Sequence, residues 1–103
     1  MTSPTRIRAI EKNGLTEIKI LMKHPMETGL RQDAAGITVP AWHITEVSVH
    51  CNQHLVLEAQ FGPAISKDPF LALRFKGGNK GDQIHINWRD NHNDVRDDET
   101  IIL

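Results

Sequence analysis

The sequence predicts an all-β fold in a single domain that covers residues 1–103. Apolar and polar residues alternate with period two in segment after segment, which is typical of strands that bury one face. Turn-forming residues separate these segments at short intervals. No stretch carries a sustained apolar repeat of 3.6 residues, so no amphipathic helix is predicted. About seven short antiparallel strands in a chain of 103 residues predict an immunoglobulin-like β-sandwich.

The first three strands are predicted at residues 6–9, 18–22 and 47–51. The first is read as an edge strand, and Asn13-Gly14 then provides a turn. In the second strand Ile18, Ile20 and Met22 alternate with lysines. The third strand places two valines and Cys51 on one face and Ser and His on the other, so Cys51 is predicted to face the core.

Four more strands are predicted at residues 55–61, 71–76, 84–89 and 100–103. In the first of these, Leu55, Leu57, Ala59 and Phe61 are expected to face the core, with Leu55 opposite Cys51. In the strand that ends near residue 89, Trp88 continues the inward face and is predicted to be core. The turns between these strands are expected at residues 52–53, 62–63, 77–79 and 90–94.

Charge and composition exclude several function classes. The formal net charge of −1 and the pI near 6.6 give no electrostatic footprint for nucleic acid or for an anionic membrane. No apolar run approaches the roughly 18 residues that span a bilayer. A single cysteine excludes an internal disulfide. Residues 1–8 show no apolar segment typical of a secretion signal, which by itself favours the cytoplasm.

The longest irregular segment runs from residue 24 to residue 40, and a proline lies near each end. It begins in the run KHPMETGLRQD, which holds a His, two acids, two bases, a Met and a Gly. A loop of this length in a small domain is often functional. The residues leave two interpretations open: a polar crossover between the sheets, or a surface that binds a partner.

A metal site is the first catalytic alternative, because Cys51 and His54 have the Cys-x-x-His form, with His24 and His43 as possible further ligands. These fragments resemble those of superoxide reductases, which hold a mononuclear iron on an immunoglobulin-like fold. In that family, however, the Cys-x-x-His element comes after the other ligands. The strand pattern also directs the Cys51 thiol inward and the His54 imidazole outward. No metal, no cofactor and no catalytic residue is therefore predicted, and an iron superoxide-reductase-like protein remains the alternative.

Other reactive side chains have structural interpretations. A thiol buried in an apolar strand has a raised pKa and is a poor nucleophile, so Cys51 is read as a small core residue. The acidic group near the C-terminus is interpreted as a solvated edge that discourages strand addition; it comprises Asp94, Asp97, Asp98 and Glu99. Trp42 follows Pro40 at the start of a strand and is predicted to be half exposed, either capping the sandwich or contacting a partner.

Four segments of the chain, at residues 23–33, 37–40, 63–70 and 81–90, together resemble the SoxZ family of bacterial sulfur oxidation. The run at residues 23–33 is similar to the signature of that family. Three further matches follow in order: the Pro-terminated end of the same loop at residues 37–40, a Pro-Ala-Ile-Ser-Lys-Asp-Pro-Phe segment at 63–70, and a Gly…Trp-x-Asp strand at 81–90 with Trp88 and Asp90 in place. Two departures stand out, because Gln53 replaces a common glycine and residues 91–94 replace a Gly-containing hairpin tip.

The resemblance implies that the chain has an immunoglobulin-like sandwich fold and a non-catalytic role. In the family, the sulfur is carried by a cysteine at the flexible C-terminus of the partner subunit, SoxY, here termed the carrier subunit. Other thiosulfate-oxidising enzymes meet the pair transiently. The resemblance also implies a periplasmic location, reached by co-export with a partner that bears the signal.

A partner-binding role is therefore expected for the loop and for the tryptophan that follows it. Met26 and Leu30 would supply apolar contact. Arg31 would form a forked pair with a carboxylate, either Glu27 or Asp33 or one on the partner. The predicted partner-binding set is His24, Met26, Glu27, Leu30, Arg31, Asp33 and Trp42.

Overall fold

The computed structural model describes residues 2–103 and shows seven strands in two sheets. The strands of the first sheet lie in the order β1-β2-β5, and those of the second in the order β4-β3-β6-β7. All neighbouring pairs are antiparallel, which confirms the all-β sandwich. Their bounds are β1 Arg6–Lys12, β2 Leu15–Leu21, β3 Ile44–Cys51, β4 His54–Gln60, β5 Phe70–Lys76, β6 Gln83–Asp90 and β7 Val95–Ile101.

Two tight hairpins confirm the turn predictions. Asn13 and Gly14 both have positive φ, of 55° and 81°, as a type I′ turn requires. At the next hairpin Asn52 and Gln53 also have positive φ, of 47° and 74°. Gln53, which replaces a glycine common in the resembled family, therefore keeps the positive-φ geometry that glycine would favour. This left-handed conformation is less favourable for a residue with a long side chain than for glycine.

The core lies between the sheets and is built by the inward positions of the alternating strands. Trp88 is 1 % exposed, as predicted, and the apolar residues of β2 that alternate with lysines are fully buried. Burying one such side chain contributes roughly 1.5–3 kcal/mol, so these positions dominate the stability of the sandwich. The buried apolar residues are Ala9, Ile18, Ile20, Met22, Met26, Ile44, Val47, Val49, Cys51, Ile84, Ile86, Trp88 and Ile102.

The prediction for Leu55 is wrong. Leu55 lies opposite His50 rather than Cys51, and its side chain is 52 % exposed. A bulge shifts the register of β3 and β4 between Val49 and His50, and each one-residue shift sends a side chain to the other face. Leu57 keeps its place opposite Val49 and packs against the core.

The last strand begins at Val95, five residues before the predicted start at residue 100. Its sequence carries charges on both faces, so the apolar alternation that identifies a strand is missing there. On the inner face Arg96 and Asp98 pair with each other at 2.7 Å, which allows both charges to lie at the margin of the core. Because β7 is an edge strand, Asp97 and Glu99 do lie exposed along a sheet edge, whereas the prediction of a solvated position is wrong for Asp98, which faces inward and pairs with Arg96.

Candidate partner-binding arm and its buried root

The chain between β2 and β3 forms a narrow two-stranded arm. One isolated bridge pairs Glu27 with Trp42, and a second pairs Gln32 with Thr38. Between them the Val39 N–H donates to the Arg31 carbonyl at 2.7 Å. Residues 30–38 are all exposed, so this part of the arm is free of the body of the sandwich. The Cα radius of gyration of 15.5 Å exceeds the roughly 13 Å of a compact domain of this size, and the longest dimension is 54 Å.

The arm tip, residues 28–40, carries two apolar side chains in water. Leu30 is 86 % exposed and Ile37 is 64 % exposed. The turn between them is held by Asp33, whose Oδ1 accepts the N–H groups of Ala35 at 2.9 Å and Ile37 at 3.0 Å. An aspartate that binds its own backbone in this way stabilises a turn without help from the rest of the fold. The tip is therefore a preformed surface with exposed apolar groups.

A forked ion pair braces the start of the arm. The Arg31 guanidinium donates to Glu27 through Nε at 3.1 Å and through Nη2 at 2.7 Å. Of the carboxylates predicted as partners of Arg31, the observed one is Glu27 of the same chain, and Asp33 takes no part in the ion pair. The bond from Arg31 is the main reason that the pKa of Glu27 lies below its ordinary value. Both oxygens of Glu27 are thereby engaged inside the chain.

The arm root is a buried polar cluster formed by His24, Met26, Trp42, Trp88 and Asp90. His24 is 4 % exposed, and its Nδ1 accepts the Met26 N–H at 3.1 Å. A ring nitrogen that accepts a hydrogen bond carries no proton, so the imidazole is neutral with its proton on Nε2. Nε2–H then donates to Asp90 Oδ2 at 2.9 Å. The contact is a hydrogen bond from a neutral ring to a carboxylate.

Asp90 accepts four hydrogen bonds with two oxygens. Its Oδ2 accepts from His24 and from the Trp42 indole at 2.8 Å, and its Oδ1 accepts the N–H groups of His92 and Asp94 at 2.9 Å each. Burial alone raises the pKa of Asp90, but these four donors outweigh it, and the pKa lies below its ordinary value of 3.8. The cluster therefore contains a buried carboxylate to which the protein supplies four hydrogen-bond donors.

Aromatic rings enclose the imidazole. The ring of His24 meets Trp42 edge-on at 5.3 Å and Trp88 edge-on at 5.4 Å between centroids. On its other side Trp42 stacks flat on His92 at 4.9 Å. Trp42 is half-buried, as predicted, and caps the end of the sandwich with its polar edge turned towards Asp90.

Met26 fastens the arm to the core from the other side. It is 5 % exposed, and its sulfur accepts the Ile44 N–H at 3.3 Å. Its φ of +50° is unusual for a residue with a side chain, and it is sustained by the burial of that side chain. Gly29 also has positive φ, and a methyl group there would lie 3.2 Å from the Ala41 Cβ. The two strands of the arm can approach each other because this position is a glycine.

The segments singled out in the sequence meet at this root. Asp68, from the segment at residues 63–70, accepts the His24 N–H at 3.0 Å and returns its own N–H to the His24 carbonyl at 2.9 Å. Trp88 and Asp90 arrive from β6 and contact His24 from the opposite side. These contacts together anchor the arm to the body of the sandwich.

The structure thus divides the seven predicted residues. Leu30, Arg31 and Asp33 are exposed on the tip, and Glu27 and Trp42 are half-buried at the base of the arm. His24 and Met26 are buried and can act on a partner only by holding the arm. Two residues that matter here were outside the predicted set: Asp90, the organising acceptor, and Ile37. Ile37, like Leu30, is a large apolar residue in a loop with many polar residues, and this was its signal in the sequence. The role of the whole set in binding stays a prediction.

The potential metal ligands do not converge. Within residues 2–103, no three side chains of the His, Cys, Asp or Glu type are grouped so as to hold a metal ion. His24 lies near Ile44 at one end of β3, whereas Cys51 lies at the other end of that strand. At the rise per residue of a β-strand, the two ends are about 23 Å apart. Burial raises the pKa of the Cys51 thiol, as predicted, and Asp82 adds to the effect. No helix in this range is long and apolar enough to cross a bilayer.

Comparisons with known proteins give one family and one fold. The family model described as SoxZ, sulphur oxidation protein SoxZ, matches residues 5–100. A search of curated protein sequences gives no significant match. Among solved structures, a hypothetical protein, PH1083, from Pyrococcus horikoshii OT3 has a TM-score of 0.71 at 15 % identity, covering 98 % of this chain and 88 % of its own.

Superoxide reductases share the same architecture. The one from Nanoarchaeum equitans has a TM-score of 0.68 at 14 % identity and covers 97 % of this chain and 92 % of its own. The superoxide reductase (neelaredoxin) from Ignicoccus hospitalis has a TM-score of 0.62 at 13 % identity, with coverages of 98 % and 80 %. At such identities the likeness shows the fold alone. The superoxide-reductase alternative has this shared fold in its favour, but the residues described here supply no group of ligands for it.

Proposed function

We propose, from the premise that this chain belongs to the SoxZ family of sulphur oxidation proteins, that it is the non-catalytic scaffold subunit of a heterodimeric sulfur carrier in thiosulfate oxidation. Its partner would be the carrier subunit, whose C-terminal cysteine holds the sulfur intermediates. The pair would work in the periplasm, where other thiosulfate-oxidising enzymes meet it transiently. The one thiol of this chain, Cys51, is buried with a raised pKa, which suits a subunit that does not itself carry sulfur.

The observation that carries this proposal is the arm. Its tip exposes Leu30 and Ile37, two apolar side chains that gain nothing from exposure in a free monomer. The ion pair of Arg31 with Glu27 and the turn at Asp33 hold the tip in shape before any partner arrives. A preformed apolar surface loses little conformational entropy on binding, which favours a stable complex.

The test is the affinity of this chain for the carrier subunit, measured by titration calorimetry and by co-purification. The double variant Leu30→Ala/Ile37→Ala should weaken binding at least tenfold, since a few central apolar residues carry most of the affinity of an interface. The matched control is Leu55→Ala/Ile101→Ala, which removes the same side chains from exposed positions of the sandwich. Equal affinities of the arm variant and the control would overturn the arm as the interface. A wild-type chain that does not bind the carrier subunit would overturn the proposed function itself.

A further inference from the structure

The two sheets present outer faces of opposite charge. The outer face of β1, β2 and β5 has twelve positions, read from the alternating exposure and the strand register. Six of them are cations and one is a carboxylate, a formal charge of +5 in a chain whose net charge is −1. We term this surface the basic face; its cations are Arg6, Arg8, Lys12, Lys19, Arg74 and Lys76.

The outer face of the second sheet has the opposite sign. Its charged positions are four carboxylates and a single cation, Arg89, a formal charge of −3. The carboxylates are Glu46, Glu58, Asp97 and Glu99. Charge is thus segregated by sheet, although the net charge of the chain conceals it. Such segregation creates a local potential that attracts an oppositely charged surface.

The basic face also exposes apolar side chains. Phe70 is 62 % exposed, Leu15 is 45 % exposed and Ile10 is 38 % exposed. Two shallow clefts lie on it, of about 370 Å³ beside Ile10 and Leu15 and of about 190 Å³ beside Leu21 and Phe70. On this face exposed apolar side chains and long cations are interspersed, which is typical of a protein-binding surface, where the stems of the cations add to the contact.

The basic face is continuous with the arm. Leu21 pairs with Phe70 in the last row of the sheet, and the next residue, Met22, donates its N–H to the Pro69 carbonyl at 2.9 Å before the chain enters the arm root. Phe70 and Leu21 therefore lie at the end of the basic face from which the chain enters the arm. The molecule extends 54 Å along its longest dimension, so a surface that includes both the arm and the sheet is long enough for an interface of the standard ~800 Å² per partner.

We propose that the basic face is a docking surface for the carrier subunit, which binds across it and the arm together through a surface that presents carboxylates interspersed with apolar side chains. This inference rests on the proposed function, and it assigns to the partner a charge and to this chain a second contact region. Phe70 is the apolar anchor of that region. Arg8 lies on the edge strand β1, in the row between those of Phe70 and Ile10, and is outside the ion pairs formed within residues 2–103.

Other occupants fit the face less well. A twofold pair of this chain would set one basic face against another, and the repulsion would oppose it. A polyanion such as nucleic acid or an anionic bilayer would meet Glu17 at the centre of the face, where it pairs with Arg74 at 2.8 Å and Lys19 at 3.8 Å. A protein surface can leave that local pair intact and engage the cations around it.

The experiment measures the affinity of the full chain for the purified carrier subunit over a series of salt concentrations. Arg8→Glu should weaken binding at least tenfold at low salt and reduce the salt dependence of the affinity. Phe70→Ala should weaken binding at least tenfold at every salt concentration, because it removes apolar contact. The matched control is Arg89→Glu, the same charge reversal on the opposite face, which should stay within twofold of the wild type. Each variant is checked by its unfolding midpoint, which should be unchanged because all three side chains are exposed.

The remaining outcomes overturn one of the two proposals. Affinities of Arg8→Glu and Phe70→Ala within twofold of a wild type that binds would overturn the basic face and leave the proposed function standing. No binding by the wild type would overturn the proposed function and this inference with it. The isolated chain could instead associate with itself or bind vesicles of anionic phospholipid. If Arg8→Glu abolished such binding and left the affinity for the carrier subunit unchanged, the basic face would be assigned to that occupant.

Discussion

The root and the tip of the arm belong to one run of sequence and have opposite physical roles. At the root, His24 and Met26 are at most 5 % exposed, and their side-chain polar atoms are engaged with the core. At the tip, Leu30 and Ile37 are more than half exposed, and the backbone bonds close within the arm itself. A dense signature in a loop therefore does not mark a single surface. Part of it positions the loop, and only the remainder is available to a partner.

This difference implies that substitutions at the root act through folding and those at the tip act through binding. Replacing Met26 in a binding assay would confuse the two, because the variant alters the arm and the core at once. Paired variants at the root and at the tip should separate the two roles, and the largest effect is expected at Asp90.

Asp90→Asn should lower the free energy of unfolding by about 3–5 kcal/mol, because an amide has one acceptor oxygen and therefore leaves two of the four N–H donors without an acceptor. Urea unfolding followed by tryptophan fluorescence measures it. The matched control is Asp33→Asn at the tip, where Oδ1 alone accepts the backbone N–H groups and an amide oxygen serves equally. Similar losses in the two variants would contradict the distinction between root and tip.

Met26→Ala should lower the free energy of unfolding by about 2–4 kcal/mol, since it leaves a cavity between the arm and Ile44. Leu30→Ala removes a side chain of similar size from water and should change the stability little. Differential scanning calorimetry of the two variants gives the comparison directly. If the Met26 variant melted at the wild-type temperature, the side chain would not be anchoring the arm.

Acid should destabilise the root through Asp90. The pKa of Asp90 is lower in the folded state than its ordinary value of 3.8. The stability that Asp90 contributes is therefore fully present at pH values above 3.8, and it is lost as the pH falls below 3.8 through the folded-state pKa. The pKa of Asp98 is lowered in the same direction, chiefly by its bond to Arg96, and adds to this loss.

Unfolding titrations at neutral pH and at pH values below 3.8 measure this effect. The wild type should lose more stability on acidification than Asp90→Asn, which has already lost the carboxylate. A parallel pH dependence of the two proteins would show that the buried carboxylate is not the titrating group.

Arg31→Ala should leave the unfolding midpoint unchanged, because the ion pair between Arg31 and Glu27 lies at the surface, where such pairs contribute little to stability. It should weaken binding of the carrier subunit by loosening the arm before it docks. Arg31→Lys restores the charge without the fork and should recover only part of the affinity. Full recovery by lysine would mean that charge, and not the brace, is what the partner requires.

Sequence reasoning reached the fold because the alternation of β2, β3 and β6 is strong and the Asn13-Gly14 and Asn52-Gln53 turns are local signals. It missed the start of β7, where the inward residues Arg96 and Asp98 are charged and stabilise each other by pairing. It also placed Leu55 on the wrong face, since a bulge leaves no mark in an apolar alternation.

At the candidate site, the amino-acid order alone determined that a long, polar, Pro-bounded segment links two strands and carries Leu30 and Arg31, because turn chemistry and hydropathy are local properties. Only the packing of the two sheets decided that His24 meets Asp90, 66 residues away, and that Met26 turns inward. A hydrogen bond between distant residues depends on the register of the strands that carry them. The same register gathers the charges scattered along β1, β2 and β5 onto one face, which the net charge of −1 does not reveal.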